Sequence, residues 1–142
     1  MKRIERLDLD DARQLIAGAT TKAEELGIPM CIAVVDESGF LIAFERMEGG
    51  KPLSTHLAQD KAFTAAVSFK TTADYNEICV PGNLTNGING TLGGRFTTVG
   101  GGIPIKMEGV VVGAIGLSGG KPEQDIECAE AGIASLFAAM KG

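Results

Sequence analysis

The chain has no tryptophan, one tyrosine and one histidine among its 142 residues. It has three cysteines, Cys31, Cys79 and Cys128, far apart and without a C-x-x-C pair. An odd count leaves at least one thiol free within a chain, so no disulfide framework is encoded. A single histidine and scattered cysteines argue against a preformed zinc site. Cys31 and Cys128 lie in apolar segments and are expected in the core, and this usage suits a reducing cytosol. No Lys/Arg cluster stands out, and the formal charge is -5, which argues against nucleic acid as a partner. No apolar run reaches the length of a membrane span. The start, MKRIERLDLDD, puts no apolar stretch after its basic residues, so it does not read as a secretory signal. These absences together point to a cytoplasmic protein with neither membrane nor nucleic acid among its partners.

What is present is glycine and small apolar side chains. There are 20 Gly, about twice the average share, and most fall between Gly82 and Gly120. The length gives one domain spanning 1–142, with a core that removes roughly two-thirds of the unfolded chain's surface from water. Asp8 or Asp10 caps a first helix, whose apolar face is Ala12, Leu15, Ile16, Ala19, Ala23 and Leu26, and Gly27 with Pro29 ends it. Met30–Asp36 is a buried strand. Phe40–Met47 returns as a second, making a hairpin. Pro52–Phe69 is a helix with a small apolar face, Leu57, Ala58, Ala62, Ala65, Ala66 and Phe69. So many alanines imply close packing on a sheet or on another subunit. Thr72–Ile78 adds a short helical turn. Val80–Gly94 is a glycine-rich loop of the functional or mobile kind. Arg95–Val99 reads as a short strand. Ile103–Met107 and Val110–Leu117 form a second hairpin around Glu108-Gly109. Pro122–Met140 is the last helix, with a stripe of Ile126, Ala129, Ile133, Leu136, Phe137 and Met140. The expected class is α+β, an antiparallel sheet of five strands in the order α-β-β-α-β-β-β-α.

The stretch GAIGLSGGKP fits two catalytic patterns in part. A phosphate loop ending at Lys121 needs Gly at 115 and Ser or Thr at 122, and the chain has Ile115 and Pro122. Gly116-Leu117-Ser118-Gly119-Gly120 satisfies G-x-S-x-G between a strand and a helix. That arrangement belongs to a larger, mostly parallel fold with its histidine downstream, and His56 is upstream. The stretch therefore reads as a sharp strand-to-helix turn.

Three segments in order, VVDESGFLIAFERMEGG (Val34–Gly50), DKAFTAAVSF (Asp60–Phe69) and GGGIPIKMEGVVVGAIGLSGGKPEQD (Gly100–Asp125), resemble the GlcG/HbpS-like family, found also as the C-terminal domain of PduO-type proteins. The resemblance runs from the first helix to the last. It implies a profilin-like or PAS-like fold with a five-stranded antiparallel sheet, and homo-oligomers from dimers to octamers. It also implies a small-molecule ligand, which in some members is haem. The E-x-x-E motif of the haem-sensing members has no counterpart at the start of this chain.

Within that frame the polar groups and bare backbone at strand ends are the candidate ligand-binding positions. Arg46, in R-M-x-G, is either a clamp on a carboxylate or haem propionate, or a salt-bridge partner of Glu48 or a helix end. His56, with Asp60 one turn on, is a ligand or base, or a solvated helix residue. Lys61, in K-A-x-T-A, is a partner for a bound acid or a surface charge. Arg95 is an anion contact or a loop anchor. Gly100, Gly101 and Gly102 either point successive N–H groups at one acceptor or let strands cross. Asp36 is read as a turn former. Two functions follow. One is a module binding non-covalent haem or a small organic acid, accessory to a catabolic pathway. The other is a cofactor-free isomerase or lyase that holds a carboxylate on Arg46 or Arg95 and moves a proton with His56 or Lys61.

Overall fold

Asp8 opens the first helix as the cap its position suggests. Its carboxylate accepts the Asp11 N–H at 2.9 Å, and the Asp11 carboxylate accepts the Asp8 N–H at 2.9 Å. The structure is a computed structural model that describes residues 1–142. Helix α1 (Leu9–Leu26) stops at Gly27, which adopts φ 69°, a left-handed conformation that glycine takes without a Cβ penalty. Strand β1 (Cys31–Asp36) is buried end to end. Asp36 builds the following turn as expected, accepting the Ser38 and Phe40 N–H groups at 2.8 and 3.0 Å. Strand β2 (Leu41–Arg46), helix α2 (Pro52–Ser68) and the short helix α3 (Thr72–Ile78) follow. Residues 80–94 form an exposed loop with two 3-10 turns, Ile88–Gly90 and Leu92–Gly94. The hairpin of β3 (Gly102–Met107) and β4 (Val110–Ser118) leads into α4 (Pro122–Lys141).

The sheet has four strands in the order β2-β1-β4-β3, antiparallel throughout. This corrects the expectation of a five-stranded sheet, and the element order becomes α-β-β-α-α-β-β-α. The missing strand is Arg95–Val99, which alternates well enough to suggest one. Its backbone groups are satisfied by hydroxyls instead of by a neighbouring strand. The Thr64 hydroxyl donates to the Arg95 carbonyl at 3.3 Å and accepts the Thr97 N–H at 3.0 Å. The Thr97 hydroxyl accepts the Val99 N–H at 3.3 Å. Phe96 is buried edge-on against Tyr75, ring centroids 4.9 Å apart. The segment is thus fastened along α2 and α3 rather than along β3.

The period-two alternation of β1 and β4 divides the core into two layers. Ile32, Val34, Ile115 and Leu117 face α1 and α4, in one cluster with Leu15, Ile16, Cys128 and Leu136. Cys31, Ala33, Val35 and Ala114 face α2, in a second cluster with Ala58, Ala62, Ala65 and Ala66. Of the expected α4 stripe, Ala129 and Leu136 are fully buried, Ile126, Ile133 and Phe137 half-buried, and Met140 is 46% exposed. Phe69, expected on the apolar face of α2, is 61% exposed at the helix end.

The alanine face of α2 has its partner within the same chain. A Cβ on Gly116 would lie inside contact distance of the Ala58 carbonyl and the Ala62 nitrogen. A Cβ on Gly102 would likewise meet the Lys61 backbone. Helix backbone therefore rests directly on strand backbone, and no second subunit is needed to cover the alanines. Cys31 and Cys128 are buried, as expected, and Cys79 is half-buried. Burial pushes the Cys128 thiol up to about 11, so it stays protonated and inert at neutral pH.

Candidate functional site

An open cleft of about 470 Å3 lies between the β1–β2 hairpin and the outward flank of α2. That volume is within the roughly 300–1,000 Å3 usual for small-molecule sites. The hairpin contributes Val35, Phe40 and Leu41, of which Phe40 is 72% and Leu41 50% exposed. Helical spacing brings His56, Gln59 and Asp60 to one flank of α2, and all three line the cleft. Arg95 closes its far side. The lining therefore combines two large exposed apolar side chains with an imidazole, an amide, a carboxylate and a guanidinium.

Arg95 is held on two sides. Its Nε donates to Asp60 Oδ1 at 3.3 Å. Its guanidinium carbon stands 3.9 Å from the centre of the Phe63 ring, a cation–π contact. Phe63 is half-buried and one helical turn beyond Gln59 and Asp60. His56 is exposed on the first turns of the helix.

Lys61 is the next residue after Asp60, and the helical step carries it onto the buried face of α2. It is fully buried, with Nζ donating to the Leu117 carbonyl at 2.7 Å and to Asp125 Oδ2 at 2.9 Å. The other Asp125 oxygen accepts the Gly120 N–H at 2.9 Å. Burial pulls the Lys61 amine down and pushes the Asp125 carboxyl up, in each case against the partner's attraction. The glycine triplet covers this pair. Gly101 has φ 131°, and a Cβ there would lie 2.6 Å from the Leu117 carbonyl oxygen and 2.9 Å from Lys61 Nζ. Gly102 donates its N–H to the Thr72 hydroxyl at 2.9 Å. Gly100 packs against Ile126 and Pro122. Close packing is what the glycines provide here.

Arg46 ends β2 opposite Cys31, exposed, with Gly50 against its side chain. No salt bridge of the chain includes it. Of the seven sequence-derived positions, then, His56 and Arg95 share the cleft. Lys61 and the three glycines belong to a buried junction between α2, β4 and α4, and Arg46 stands outside both. The sequence reading missed Phe40 in the cleft, Phe63 as the ring against the Arg95 guanidinium, and Asp125 as the partner of Lys61. Ser118 donates to the Ser54 hydroxyl at 3.1 Å in a buried contact, consistent with a turn and not an exposed nucleophile. No helix is long and apolar enough to cross a membrane.

Residues 7–134 match the family model described as haem degrading protein HbpS-like. The chain is 35% identical over 130 residues to the corrinoid adenosyltransferase PduO of Citrobacter freundii, covering 92% of this chain and 39% of that protein. It thus spans about two-fifths of the length of that relative. The crystal structure of the Klebsiella pneumoniae protein ORFY superposes with a TM-score of 0.95 at 28% identity, over 97% of this chain and 95% of that one. The crystal structure of a PduOC–haem complex superposes with a TM-score of 0.88 at 32% identity, over 92% of this chain and 94% of that one.

Proposed function

The chain belongs to the HbpS-like family, and from that premise we propose that it binds a small molecule in the cleft between the β1–β2 hairpin and α2, with non-covalent haem as the ligand. The observation that carries this reading is the lining itself: exposed Phe40 and Leu41 face a cleft that also holds His56 and Arg95. The residues suit the group. Phe40 and Leu41 offer apolar contact to a porphyrin face, the His56 imidazole offers a nitrogen ligand, and Arg95 offers charge to a propionate. Haem, when bound, supplies a redox-active iron. The chain supplies orientation and a partly apolar shelter. The solved haem complex of a relative at 32% identity supports the choice of ligand.

A second ligand class, a small organic acid, is favoured by Arg95 alone. In a proton-transfer reading of that kind His56 is the group available, since the Lys61 amine is engaged beneath the glycines. An accessory role in a catabolic pathway belongs to the same proposal, and the match to a segment of a larger corrinoid adenosyltransferase fits a module that works beside a second activity. We also infer self-association, for which exposed Phe40, Leu53 and Phe69 supply apolar surface, and a cytoplasmic setting, on the cysteine usage.

Titration of the purified protein with hemin is expected to give a saturable Soret band distinct from that of free hemin. His56→Ala is expected to shift or abolish that band. An unchanged spectrum in the variant would exclude His56 as the iron ligand. Failure of hemin to saturate the wild-type protein would overturn the haem reading.

A further inference from the structure

We infer that Asp60 and Phe63 hold Arg95 as a preset carboxylate fork, so that the cleft selects ligands carrying a free carboxylate over otherwise identical neutral ones. This deepens the ligand-binding reading of the same cleft and rests on it. Three residues of one helix turn make the device. Thr64 fixes the Arg95 backbone through its hydroxyl, 3.3 Å from the Arg95 carbonyl oxygen. Phe63 lies under the guanidinium at 3.9 Å. Asp60 engages Nε at 3.3 Å. The next residue, Phe96, is buried, which pins the main chain on the other side.

An exposed arginine normally samples many rotamers, and that freedom opposes binding. Here the stem is pinned before any ligand arrives. A guanidinium has five N–H donors in one plane. Asp60 occupies the Nε donor, and the two terminal amino groups remain. Their paired donors match the two oxygens of a carboxylate. The side chain of Arg95 is 46% exposed and that of Asp60 29%, so the free end is reachable from the cleft. Asp60 also has an opposing effect: its negative charge reduces the pull of Arg95 on a second anion. Geometry and charge can therefore be separated by substitution, which makes Asp60 and Phe63 testable as positioning residues.

The experiment compares hemin with hemin dimethyl ester, whose propionates are neutral. Wild-type protein is expected to prefer the free acid by about tenfold or more, the scale of one charge-assisted hydrogen bond. Arg95→Ala should bring the acid-to-ester ratio close to one. Arg95→Lys should keep the charge and lose most of the ratio, because the planar fork is gone. Phe63→Leu should lower the ratio several-fold while leaving ester affinity in place. Asp60→Asn, which keeps an oxygen for Nε and removes the charge, should tighten acid binding several-fold and leave the ester unchanged. A merely structural role for Asp60 or Phe63 would move acid and ester together, and that outcome overturns the inference. So does a ratio in Arg95→Ala equal to that of wild type. If hemin does not bind, the haem reading fails separately, and the same variants are then tested with benzoate and methyl benzoate by NMR. An acid-specific, Arg95-dependent shift of the cleft signals is expected there, and its absence sinks the fork.

Discussion

Lys61→Ala is expected to destabilise the protein by about 3–5 kcal/mol, the scale for removing one member of a buried ion pair. The substitution leaves the Asp125 carboxylate, 3% exposed, without its counter-charge, and the Leu117 carbonyl without its donor. The directions of the two shifts predict more than the single loss. Burial pulls Lys61 down and pushes Asp125 up despite their contact, so desolvation outweighs attraction in both. Such a pair is dispensable when both charges go together. The double variant Lys61→Met/Asp125→Leu is therefore expected to recover at least half of the single-variant loss. Urea denaturation of the two singles and the double decides it. A double variant no more stable than Lys61→Ala itself would show that the pair contributes net stability that apolar replacement does not restore.

The second large effect concerns Gly116. Gly116→Val is expected to cost about 3 kcal/mol, the upper end of the usual penalty for overpacking. Backbone lies across that position, and backbone cannot step aside as a side-chain end can. The Ala58 carbonyl and the Ala62 nitrogen would both have to move, which lifts α2 off β4. His56 and Asp60 ride on the same helix, so ligand affinity should fall along with stability. Gly90→Ala is the matched control. Nothing lies within 4 Å of its added Cβ, and the change should stay within about 0.5 kcal/mol. A valine at 116 tolerated equally well would mean that α2 does not rest on the strand.

These two sites mark where the sequence was readable and where it was not. The helices flanking the core were legible because each pairs a boundary signal with an apolar stripe: Gly27 stops α1 after Ala23, and Pro122 starts α4 before Ala129. Both hairpins were legible from their turn residues, Asp36 and Gly109. The extra strand at Arg95–Val99 was not, because alternation of side chains says nothing about who satisfies the backbone. Thr64 does so from 31 residues away. Lys61 was misjudged as facing a ligand or solvent, although its spacing held the answer. It lies three residues after Ala58 and four before Ala65, on the face that the alanines bury. A charge on that stripe calls for a buried counter-charge, and Asp125 is 64 residues away. The cleft was half legible. His56, Asp60 and Arg95 were singled out by chemistry, and Phe63 escaped notice because its role depends on a loop returning to α2. Arg46 was grouped with them by its place at a strand end, which does not fix the distance to another element.

The exposed loop carries a chemical clock. Asn86-Gly87 and Asn89-Gly90 are both exposed, and in such dipeptides the glycine nitrogen can attack the asparagine side-chain carbonyl, expelling ammonia and closing a succinimide that water then opens to a carboxylic acid. The two sites are not equally protected. The Gly90 N–H is tied to the Gly87 carbonyl at 3.0 Å, whereas the Gly87 N–H has no main-chain acceptor. Stored protein should therefore age first at Asn86, exchanging an amide for an acid. A chain already at -5 becomes more acidic, and isoelectric focusing separates old molecules from new ones while the core stays intact.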